Sequence, residues 1–186
     1  LLDPYETSLR GFVSQLQRFT AYPRDFKVWW NAAETALADA TSVTLDEANE
    51  ALKPVSKDPD GLLALAQGRG ADPAATSTLV RYLALTDLWL LGEDEAFLSG
   101  AESFFASAQG ASLSAPFLAW GAFTHGEPDL ARAWLDLGPV TSLAHNLNAE
   151  MALRQGDLDS AKALWRRSLE FEPGQPHLVY RLAAAQ

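Results

Sequence analysis

The residues able to do chemistry are few, and their spacing argues against most of it. His125, His145 and His177 are the only histidines, and none has a second histidine three or four residues away, the interval at which one helix face grips zinc. Turn and helix-start positions suit them better. Cysteine is absent, which removes thiolate nucleophiles, disulfides and cysteine-bound zinc together and is compatible with any compartment. The serines lack a nucleophile elbow, because Gly110-Ala111-Ser112-Leu113-Ser114 has no second glycine in place. Gly68-Arg69-Gly70 follows no strand and precedes no Lys-Ser/Thr pair, so it does not form a phosphate loop. Asp157 and Asp159 open like a calcium loop but lack its central glycine and closing glutamate, and fit the start of a helix instead.

Glu102-Ser103-Phe104-Phe105 resembles the Glu-Ser-x-Phe start of lytic transglycosylases, whose glutamate is the general acid. The Ala-x-Ser-Pro and Gly-Leu-Met-Gln segments of that family are missing, so Glu102 is expected to face water on a helix. No catalytic, cofactor-binding or metal site is expected, and the chain reads as non-enzymatic. Its charge narrows the partners. The net charge is −10 with a pI near 4.6, and residues 82–131 hold seven carboxylates without a Lys or Arg. Such a surface repels nucleic acid. It suits a basic partner, or simply a solvated acidic face.

The elements that would position any site are helical. Alanine and leucine make up about a third of the 186 residues, isoleucine is absent and valine occurs seven times, a composition that favours helix over sheet. The densest apolar stretch, residues 79–91, is interrupted by Arg81, Thr86 and Asp87 and is too short for the roughly 18 residues of a membrane span. Residues 142–175 read as two helices, 144–155 and 157–171, with a left-handed cap at Gly156 and a stop at Pro173. Counted from Ser142, Ala149 falls at position 8, Ala161 at 20, Trp165 at 24, Ser168 at 27 and Pro173 at 32. This resembles the tetratricopeptide repeat, whose period is 34 residues. Small residues at 8 and 20 let two helices cross closely, and the bulky residue at 24 fills the gap to the next pair.

Weaker copies recur. Pro139 precedes Pro173 by one period. A copy beginning at Phe26 places Ala32 and Ala33 at the first small site and continues in a second helix at Leu45-Asp46-Glu47-Ala48. Gly92 and Gly126 mark two more inter-helix turns, with Leu85 and Ala119 seven residues earlier at the close-packing position. Ala131 matches the second small site, whereas Phe97 does not, unless Ala96 serves with a shift of one. Residues 177–185 repeat an opening helix, with Leu182-Ala183 at positions 7 and 8, and would cap the stack. Residues 4–19 form an amphipathic pattern through Tyr5, Leu9, Phe12, Leu16 and Phe19, and helix restarts at Asp72-Pro73. Between 56 and 72, Pro59, Gly61, Gly68 and Gly70 weaken the period around a short 62–67 segment, marking a joint. The expected architecture is an all-α, right-handed superhelix of about five helix pairs over residues 1–186 as one domain.

The resemblance also implies a binding mode. In tetratricopeptide proteins the first helix of each pair lines a concave groove that holds a peptide. Carried onto this sequence, the lining is Trp30, Asn31, Glu34, Tyr82, Trp120, Asn146, Glu150, Arg154, Tyr180 and Arg181, with Trp89, Phe117 and Phe123 at further equivalent places that also suit a core. A scaffold that docks a protein or peptide segment is the expected function, and aromatic grooves and uncapped ends invite self-association. The alternative is an accessory helical domain of a larger enzyme, transport or secretion assembly, or signalling protein. The start Leu1-Leu2-Asp3-Pro4, with neither initiator Met nor a basic-then-apolar leader, suggests a mature product or excised module, compatible with the cytoplasm or, if a leader was removed, an extracytoplasmic site.

Overall fold

In the computed structural model, residues 26–70 and 76–185 are described, and they form ten α-helices with no strand among them. The helices are α1 (Phe26–Thr41), α2 (Leu45–Leu52), α3 (Pro59–Ala66), α4 (Thr78–Leu91), α5 (Asp94–Ser107), α6 (Ala115–Thr124), α7 (Pro128–Leu135), α8 (Ser142–Arg154), α9 (Leu158–Phe171) and α10 (Pro176–Ala184), with a short 3-10 turn over Ala111–Ser114. The fold is therefore all-α. The amphipathic segment 4–19 and the helix start at Asp72-Pro73 lie outside the described residues. Among the described helices none is long and apolar enough to cross a membrane.

The chain divides into two compact units: of the described residues, Trp30–Ser114 belong to the first, and 26–29 together with those from Ala115 onward to the second. The 56–72 stretch, expected as a joint, contains α3, which packs on α4 and α5 inside the first unit.

Local chemistry sets the helix ends. At α2 the Thr44 hydroxyl accepts from the Glu47 N–H at 3.3 Å while the Glu47 carboxylate accepts from the Thr44 N–H at 2.9 Å, a complete capping box. Three inter-helix turns are copies of one another. Gly92, Gly126 and Gly156 adopt φ of 81, 87 and 79°, and the N–H of the following acid, Glu93, Glu127 or Asp157, donates to Leu88, Ala122 or Ala152 at 2.9–3.0 Å. That long back-bond needs a left-handed residue, which glycine supplies without strain. The acid after each glycine then stands at the next helix N-terminus, where the helix dipole favours negative charge. Much of the acidic excess is thus seated at helix starts.

The units use the small residues differently. In the second, α6 pairs with α7 and α8 with α9, and Ala119, Ala131, Ala149 and Ala161 are all fully buried. In the first, α4 packs on α2, α3, α5 and the 3-10 turn, so every residue from Thr78 to Thr86 is buried. The close crossing falls at Gly100, where a Cβ would lie 2.9 Å from Leu85 Cδ2 and 3.2 Å from the Ala66 methyl. Neither Phe97 nor Ala96 takes that place. Phe97 is instead a core ring stacked on Trp89, with centroids 6.0 Å apart.

Candidate functional site

The expected groove residues separate into two groups, one in each unit. In the first, the Trp30 indole N–H donates to the Glu34 carboxylate, and Glu34 in turn acts electrostatically on Tyr82. Burial raises the Glu34 pKa, partly offset by the Trp30 hydrogen bond. Burial raises that of Tyr82 still more, reinforced by the Glu34 charge. Asn31 is exposed beside them.

In the second unit a row of contacts runs over α6, α8 and α10. Trp120 and Phe123 on α6 have centroids 6.3 Å apart, and the Arg154 guanidinium lies 3.7 Å from the Phe123 centroid. One turn back along α8, Glu150 forms an ion pair and hydrogen bond with Arg181 of α10, whose guanidinium also sits 5.3 Å from the Trp165 centroid. Tyr180, next to Arg181, is 77% exposed. Both links, Arg154 to Phe123 and Arg181 to Glu150, join residues 31 apart in the chain. Five expected residues, Trp120, Glu150, Arg154, Tyr180 and Arg181, therefore share one region.

Tyr82, Trp120 and Asn146, expected to line an open groove, are 0, 4 and 0% exposed. Tyr82 lies on the helix that three others enclose, and Trp120 on α6, where every residue from Ala115 to Phe123 is buried. Asn146 is held under the α9–α10 connection, donating from Nδ2 to Gln175 Oε1 at 2.8 Å. Gln175 Nε2 donates in turn to the Glu172 carbonyl at 2.9 Å and the Ser168 hydroxyl at 3.0 Å, and the Ser142 hydroxyl donates to the Glu172 carboxylate at 2.8 Å. This network fixes where α10 leaves α9. Trp89, Phe117 and Phe123 are likewise core residues.

Two organising residues carried no obvious signal. Arg81, 5% exposed in the middle of the apolar α4, donates from Nε to the Ala66 carbonyl at 2.9 Å and from Nη2 to the Ser103 carbonyl at 3.3 Å and the Ser107 hydroxyl at 2.9 Å. The acceptors lie in the last turns of α3 and α5, so a cation meets the negative ends of two helix dipoles. At Gly68, φ 74°, a Cβ would lie 3.3 Å from the guanidinium carbon. Gln175 is the neutral counterpart in the second unit. The available hint was a lone cation inside an apolar run, and an amide between two prolines.

Among the described residues no group of three His, Cys, Asp or Glu side chains is arranged to hold a metal ion. Glu102 is exposed on α5. Comparison with known protein families, with curated proteins and with solved structures finds no match.

Proposed function

We propose that the protein is a non-enzymatic scaffold that docks a peptide or protein segment, and that its second unit is built from tetratricopeptide-like hairpins. The observation that carries this reading is the row over α6, α8 and α10: Arg154 of α8 lies over Phe123 of α6, Glu150 of α8 pairs with Arg181 of α10, and Tyr180 beside it is exposed. The repeated glycine turns and fully buried alanine crossings support the hairpin assignment. Exposed Tyr180 and the partly exposed Glu150 and Arg181 offer contact area with little side-chain freedom left to lose. A displayed library of random 12-residue peptides, selected on the intact chain, tests it. Peptides should enrich, and Tyr180→Ala should weaken them while Arg166→Ala, on the exposed side of α9, should not. Failure of any peptide to enrich, or equal loss in both variants, would refute docking at this face.

A further inference from the structure

Arg154 differs from the other cations of its row. Arg181 is neutralised by Glu150, and elsewhere Lys53 pairs with Glu50 and Lys162 with Asp159. Arg154 is exposed and, among the described residues, has no carboxylate partner. The nearest acid along the chain, Asp157, is committed to capping α9 through the Ser160 N–H at 3.0 Å, and hydrogen bonds from the Ser160 side chain and backbone lower its pKa. The guanidinium carbon lies 3.7 Å from the centroid of Phe123, a ring that is itself 4% exposed. A guanidinium seated over a ring leaves its N–H edge as a two-pronged donor, the geometry that a carboxylate fills. Within the row Glu150 and Arg181 cancel, so the local charge is positive on a chain of net charge −10. The exposed apolar surface of the row is the Tyr180 ring, next to Arg181.

We propose that Arg154 makes this face select a segment that carries an Asp or Glu side chain next to an apolar residue, with the carboxylate taken by the guanidinium edge. The inference rests on the docking reading above and names the partner chemistry for the same face. Sequencing the peptides enriched on the unmodified chain should show an excess of Asp or Glu over the starting library. One such peptide, synthesised with a fluorophore, then serves as the probe in anisotropy titrations. Changing its acid to the amide, or changing Arg154→Gln, should each weaken binding about tenfold, the scale of one charge-assisted contact, and making both changes should cost no more than either alone. Arg154→Lys, which keeps the charge and loses the planar fork, should fall between. Because Arg154 is exposed, the melting temperature of each variant should match that of the parent chain. Enriched peptides without an acidic excess, or additive losses in the double change, would overturn this assignment while leaving docking intact. If no peptide enriches, docking itself falls, and the assignment with it.

Discussion

The two units solve one packing problem in two ways. The second builds regular hairpins, each crossing at alanine pairs, and ties the α9–α10 connection down with a neutral amide, Gln175. The first wraps four elements around α4, crosses at a glycine, and gathers two helix ends with a buried cation, Arg81. A repeat needs a small residue wherever helices cross, but a third helix in the contact demands an even smaller one. That is why α3, touching both α4 and α5, coincides with Gly100 rather than alanine. The small residue at the crossing is alanine where helices meet in pairs and glycine where three converge.

The sharpest way to break the comparison is to remove each polar staple. Arg81→Ala removes the side-chain donor to the Ala66 carbonyl and one of the donors to the Ser103 carbonyl, and opens a void, so the first unit should lose about 3–4 kcal/mol. Gln175→Ala strips only neutral hydrogen bonds and should cost the second unit about 2–3 kcal/mol. Urea unfolding followed by site-resolved hydrogen exchange reads both, since each loss should appear in its own unit first. Equal losses across both units would mean that they do not unfold separately. The crossings come next. Leucine at Ala149 overpacks the α8–α9 contact and should destabilise by about 1–3 kcal/mol. Gly100→Ala tests the three-helix contact directly: despite alanine's better helix propensity, its methyl would press on Leu85 at 2.9 Å, so the thermal midpoint should fall. A rise would show that α5 shifts freely, and the contrast between the units would weaken.

What could be read from the sequence divides along the same line. The hairpin of α8 and α9, its glycine turn and its alanine crossings were legible because each depends on contacts within one pair of adjacent helices. Phe97 and Gly100 were not, because choosing between them requires knowing that α3 enters the contact, and α3 lies in the stretch whose period is weakest. At the candidate site, counting positions located Glu150, Arg154 and Arg181 and put them in one row. It could not show that Asn146 is covered, since the covering group, Gln175, belongs to the following connection. Nor could aromatic spacing separate lining from core. Trp120 and Tyr180 occupy similar register positions, yet one is 4% and the other 77% exposed, a difference set by neighbouring elements alone.

The smallest expected effect concerns Asp87, partly buried on α4, whose pKa burial raises from 3.8 to about 6. The folded state therefore holds this proton more tightly than the unfolded chain does. The penalty for burying the charge is absent below pH 4, grows between pH 4 and 6, and is fully present above pH 6. At pH 7, Asp87→Asn should stabilise the first unit by about 1–2 kcal/mol, because an amide avoids the ionised state. At pH 3.5 the gain should vanish, as the parent carboxyl is then already neutral. Melting curves of the two proteins recorded from pH 3.5 to 7 would show them converging on acidification. A gap that stays constant with pH would assign the gain to packing rather than charge. A gap that appears in the second unit would place the strained carboxylate outside the α4-centred packing that distinguishes the first.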